Sequence, residues 1–96
     1  MRKSYADYGM TNRRAKELLE ECRAGKYGAQ VRMAAYKACP IAAEHIIHSI
    51  IQNKSYDILE FDFKLGRVPV GRSDFYGYRR HTLAILNNML LEKEMV

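Results

Sequence analysis

Apolar residues recur along most of this chain at three- and four-residue steps, the spacing that gathers side chains on one face of an α-helix. Ala15, Leu18, Leu19 and Cys22 set the first stripe. Thr11 or Asn12 ahead of it can cap a helix and Gly25 can stop it, so a first helix is predicted to about Ala24. Beyond the break Gly25-Lys26-Tyr27-Gly28, Val31, Ala34, Ala35 and Ala38 repeat the pattern and predict a second helix over Ala29 to Ala38, whose small side chains allow close packing. Pro40 suits the first turn of a third helix, where its missing N–H is not needed. Ala43, Ile46, Ile47, Ile50 and Ile51 make this the strongest apolar stripe, and the helix is expected at the centre of the core.

After the turn Asn53-Lys54-Ser55 the pattern fits two periods. Leu59, Phe61, Phe63 and Leu65 alternate with Glu60, Asp62 and Lys64 as in a half-buried strand, while Ile58, Leu59, Phe61, Asp62 and Leu65 also form a helical face. A lone strand has no partner elsewhere in the chain, which favours a short helix from about Tyr56 to Phe63. Gly66 to Gly71 follows as a connection, with Pro69 turning Val68 away from helix.

The last stretch, Gly71 to Leu91, carries the longest stripe. Ser73 is a candidate N-cap and Asp74 complements the positive helix end. Phe75, Tyr78, Thr82, Ile85, Leu86 and Met89 then share a face in a helix running to about Glu92. Leu83, Leu90 and Leu91 lie outside that stripe and suggest a second apolar strip. A homodimer is one use of it, and core contact with the first helix is the simpler one. The expected fold is all-α: a compact single-domain bundle of about five helices over residues 1–96. It comprises a flexible arm at 1–10 and a helix-turn-helix-like pair at 56–91.

Composition agrees with a globular chain, since 48% of residues are apolar and no apolar run approaches the roughly 20 needed to cross a bilayer. The opening MRKSYADYGM is basic but lacks the apolar core of a secretory signal, so a cytoplasmic protein without membrane contact is expected. In that setting Cys22 and Cys39 read as small core residues rather than a disulfide.

Charge adds direction. The net +5 is divided into +5 over residues 1–37, −3 over 38–63, +4 over 64–80 and −1 over 81–96, so two basic blocks flank an acidic middle. Blocks that met in space would attract phosphate. In the second block Arg72, Ser73, Tyr76, Gly77 and Arg80 fall largely opposite the apolar stripe, crowded into the first two turns of the last helix. Arginine offers a rigid fork to phosphate or a guanine edge, while Tyr and Ser offer neutral hydrogen bonds. DNA-reading helices present their N-terminal residues in this way. A solvated helix face explains the same charges. Gly77 fits either a close approach by a partner or tight helix packing. Arg13, Arg14 and Lys16 occupy the first turns of the first helix, the end its dipole disfavours for cations, which hints at a partner.

Other chemistry is poorly supported. His45 and His48 share a helix side near Glu44 and Gln52, yet Cys22 and Cys39 stand too far apart to complete a metal-binding pattern. No nucleophile, base and carboxylate assemble from one spacing and no phosphate-binding glycine loop is present, so no enzyme, cofactor or metal is expected.

Ser73, Phe75, Tyr76, Arg79, Arg80, Leu83 and Leu86 together resemble the end of small Gram-positive phage and prophage transcription regulators, the ArpU and RinA groups, themselves similar to region 4 of bacterial sigma factors. These read as a hydroxyl residue, an aromatic pair, an Arg-rich helix and leucines. The resemblance covers the last third of the chain, and Gly66 to Gly71 is longer than a usual helix-turn-helix turn. It implies a DNA-binding transcription regulator whose last helix enters the major groove, with Ser73, Tyr76 and Arg80 facing DNA and Phe75 and Leu86 packing. The residues expected at double-stranded DNA are Arg13, Arg14, Arg67, Arg72, Ser73, Tyr76, Arg79 and Arg80. The competing expectation is a small phage-type helical protein whose basic face binds another protein, such as RNA polymerase, a nuclease or a repressor.

Overall fold

The computed structural model describes residues 3–62 and 64–94. Within them the chain is all-α: α1 (Asn12–Arg23), α2 (Gly28–Ala38), α3 (Ala43–Gln52), α4 (Tyr56–Glu60) and α5 (Arg72–Glu94), with 3-10 turns at Ala6–Tyr8 and Pro40–Ala42. The Thr11 hydroxyl opens α1 by accepting the Arg14 N–H at 3.0 Å. Gly25, at φ +96°, closes it: the Gly25 and Lys26 N–H groups donate to Cys22 and Glu21 carbonyls, both at 3.1 Å, in a Schellman cap.

The core is built where the stripes meet. Val31, Ala34 and Ala35 of α2 are fully buried, and α2 makes its most extensive contact with α5. Leu18 and Cys22 of α1 and Ile46, Ile47 and Ile50 of α3 complete it, and Cys22 and Cys39 are free, buried thiols. Arg14 near the start of α1 reaches Asn87 in the second half of α5 and Arg23 at its end lies near Arg79 in the first half, so these two helices run antiparallel.

On α5 the buried side chains are Phe75, Thr82, Leu83, Ala84, Leu86 and Leu90, while Tyr78, Ile85 and Met89 are only half-buried. The stripe is thus rotated toward Leu83 and Leu90. Those leucines are consumed by the core and do not form a second strip for a dimer; Leu91 alone of the three is exposed. Gly77 is buried, which assigns it to helix packing rather than to the outer face. The helix begins at Arg72, with the Phe75 N–H on the Gly71 carbonyl at 2.8 Å. Ser73 therefore lies in the first turn and is not the cap. Gly71 supplies the first carbonyl of the helix, and the serine hydroxyl has no partner among the described residues.

The segment 56–71 takes up the expected short helix at Tyr56, but the helix is shorter and its buried face smaller than expected. The Ser55 hydroxyl caps α4 through the Ile58 N–H at 3.3 Å, but the helix ends at Glu60; Phe63, its expected end, is outside the described residues. Of the anticipated face only Leu59 is fully buried, whereas Ile58 is 56% and Phe61 80% exposed. Carboxylates have captured the backbone here. Asp62 Oδ1 accepts the Lys64 and Leu65 N–H groups at 2.9 and 3.2 Å, and Glu60 accepts that of Val68 at 3.3 Å. The connection is tied down by His45 Nε2 on the Gly66 carbonyl at 3.0 Å and by the Tyr56 hydroxyl on that of Val70 at 3.2 Å. It spans 61–71, longer than the three or four residues of a compact helix-turn-helix turn.

The start of the chain also differs from expectation. Of residues 1–10, expected to be a flexible arm, 1 and 2 lie outside the described residues, and Lys3 and Tyr8 contact α5. Tyr8 stacks on His81 with ring centroids 5.2 Å apart, the Lys3 ammonium lies 5.7 Å from the Tyr8 ring centre, and Met10 is buried. Aromatic and Met burial, rather than the cations, decides the path of this segment.

Candidate nucleic-acid interface

Residues 72, 73, 76 and 80 fall on one side of a helix, and at the opening of α5 Arg72, Ser73, Tyr76 and Arg80 line one open surface pocket of about 450 Å³. Each has a distinct commitment. Arg72 closes its fork on the Asp57 carboxylate, with the Tyr56 ring 5.1 Å from its guanidinium, and this pairing holds the Asp57 carboxyl below its ordinary range. The Ser73 hydroxyl has no hydrogen-bond partner among the described residues. The Tyr76 hydroxyl accepts the Tyr56 N–H at 3.1 Å, and its own proton has no acceptor among the described residues. Arg80 donates through Nε to the Lys3 carbonyl at 2.8 Å, which leaves its two terminal nitrogens free among the described residues.

Arg79, adjacent in sequence, does something else. Its Nη1 donates to the Oγ of fully buried Ser49 at 3.0 Å, and its guanidinium lies 5.7 Å from the Tyr76 ring centre. Burial pulls its pKa below the ordinary arginine value, and Arg23 and Arg80 are near enough to add to that by repulsion. No carboxylate pairs with Arg23, Arg79 or Arg80 among the described residues. The two basic blocks therefore do meet, at Arg23 and the Lys3 backbone from the first and Arg79 and Arg80 from the second.

The remaining expected residues are elsewhere. Arg14 donates to Asn87 at 2.9 Å, and fifteen residues of helix place Asn87 about 22 Å along α5 from Arg72. Arg14 also pairs with Glu17 and Glu21 at 3.6 and 3.7 Å, and Arg13 with Glu17 at 3.6 Å, so much of this charge is neutralised locally. Arg67 pairs with Glu60 at 3.7 Å and shares a different pocket with Phe61. Four of the eight expected residues thus converge, Arg79 flanks them from inside, and Arg67, Arg13 and Arg14 do not join. Sequence reading missed Lys3, Tyr8, Arg23 and His81. The paired tyrosines of the opening segment were the available signal for the first two, and nothing in the pattern of α1 singles out Arg23.

His45 and His48 are occupied by the backbone, at the Gly66 carbonyl and at the Glu44 carbonyl (2.8 Å) respectively. Among the described residues no group of three or more His, Cys, Asp or Glu is disposed to hold a metal ion, and no helix is long and apolar enough to cross a membrane. Comparison with protein-family models, curated proteins and solved structures gives no match for this chain.

Proposed function

We propose that this chain is a DNA-binding transcription regulator of phage or prophage type, which sets the opening of α5 into the major groove of duplex DNA. The observation that carries the reading is the pocket of Arg72, Ser73, Tyr76 and Arg80, where Ser73, Tyr76 and Arg80 have donors without a partner among the described residues. A basic surface of this kind attracts the phosphate backbone before any base is read. Arg23, Arg79 and Arg80 beside it have no carboxylate partner among the described residues, which supports the same reading, since like charges repel one another and a polyanion relieves that repulsion.

The test is selection from a randomised duplex library at low and moderate salt. Retention of duplex that weakens steeply with salt, with an enriched motif, is the expected result. Failure to retain any duplex at low salt would overturn the reading.

A second reading rests on a separate observation. Ile58 on α4 and Phe61 just after it stand exposed, Phe61 beside Arg67, and large exposed apolar side chains are more suited to a protein surface than to DNA. Under that reading the partner is a protein such as RNA polymerase, and Phe61→Ser would abolish its binding while leaving duplex retention intact.

A further inference from the structure

The groups that line the pocket at the start of α5 are not equally free to read bases. Arg72 has its fork closed on Asp57. Arg79 is turned inward onto Ser49. Arg80 is held against the protein through Nε by the Lys3 carbonyl, and Lys3 in turn sits over Tyr8, which stacks on His81. A bidentate guanine contact needs an arginine extended from the helix into the groove, with its fork coplanar with the base. Arg72 and Arg79 are committed elsewhere, and Arg80, whose terminal nitrogens have no partner among the described residues, is tied back against the protein at Nε.

What remains is a concave set of donors. The terminal nitrogens of Arg80, the Tyr76 O–H and the Ser73 O–H approach one open space from residues spread over two helical turns. No carboxylate is among its described lining residues. Donors converging from several directions suit a tetrahedral anion better than a flat base edge, and an Arg fork with hydroxyl donors is the usual equipment for a phosphate.

From this we infer that the Arg72–Ser73–Tyr76–Arg80 pocket is a subsite for one phosphate of the DNA backbone. It fixes the position of α5 on the duplex, and the opening segment, through Lys3 and Tyr8, orients Arg80 for it. The inference rests on the DNA-binding reading above and deepens it: these residues supply affinity and register, and sequence preference comes from other side chains.

The experiment is a salt titration of duplex binding by the native chain, Arg80→Gln and Ser73→Ala, each followed by library selection. Losing one phosphate contact should lower the slope of log affinity against log salt by about 0.9 in Arg80→Gln, with the enriched motif unchanged. Ser73→Ala alters only an exposed hydroxyl, so the fold is kept; it should weaken all duplexes a few-fold alike. A changed motif with an unaltered slope in Arg80→Gln would make Arg80 a base reader and overturn the subsite while DNA binding stands. Displacement of duplex by inorganic phosphate at matched ionic strength would assign the pocket to a small free anion and overturn it as well. Absence of duplex binding by the native chain is a different failure, that of the DNA-binding reading itself.

Discussion

At the residue scale, Arg79 and Arg80 are indistinguishable in sequence and opposite in role. One is turned inward onto Ser49, and the other keeps two terminal nitrogens without a partner among the described residues. Arg79→Ala should therefore lower stability by about 1–3 kcal/mol, because it strips the Ser49 hydroxyl of its partner in the core. Arg80→Gln should leave the melting temperature nearly unchanged and act on binding. Equal stability losses in the two variants, measured by urea unfolding, would contradict the assignment. The Cys22 thiol gives an independent check on the core, since burial pushes its pKa up to about 11 with a smaller contribution from Glu21. It should resist thiol reagents at pH 8 in the native chain and react only on unfolding. Rapid native labelling at Cys22 would contradict the packing described.

At the element scale, the stripes of α1, α2 and α3 were legible because apolar periodicity and local signals agree there; Thr11 and Gly25 lie at the ends of α1, and Pro40 opens the 3-10 turn just before α3 rather than α3 itself. In segment 56–71 only the helix start at Tyr56 was legible, because the rest of its structure depends on where two carboxylates send their lone pairs. Glu60 and Asp62 look like the polar half of an alternating pattern, yet each captures backbone N–H groups further along. Those bonds should make the segment acid-sensitive. The Leu65 and Lys64 N–H groups hold the Asp62 pKa down, and Arg72 does the same for Asp57. A depressed folded-state pKa gives stability that is complete above the ordinary aspartate value and is lost as pH falls through the lower folded value. Thermal stability should accordingly be flat near neutrality and decline below about pH 4, with Asp62→Asn removing part of the decline. A profile identical in Asp62→Asn would exclude that contribution. Phe75 joins this segment to α5, fully buried and edge-on to Tyr56 at 5.6 Å, so Phe75→Ala should cost about 3–5 kcal/mol.

At the scale of the whole molecule, the sequence divided its charge into two blocks but could not say whether they meet. They do, although Arg13 and Arg14 are not the point of contact. Antiparallel packing of α1 on α5 carries the start of α1 toward the far end of the long helix and brings Arg23, at its other end, to Arg79. The opening segment closes the arrangement by folding over His81 and holding Arg80. Four of the expected residues were found from periodicity because they share one helix face, and the others could be sorted only by tertiary contacts. The most direct test of the account is to add a retained duplex to isotopically labelled protein and follow the backbone amide resonances. The largest shifts are expected at Arg72, Ser73, Tyr76 and Arg80 and in the segment from Lys3 to Tyr8, with Arg13, Arg14 and the α2 core unmoved. Shifts centred on α1 around Arg13 and Arg14, or on Ile58 and Phe61, with none at the start of α5, would contradict it.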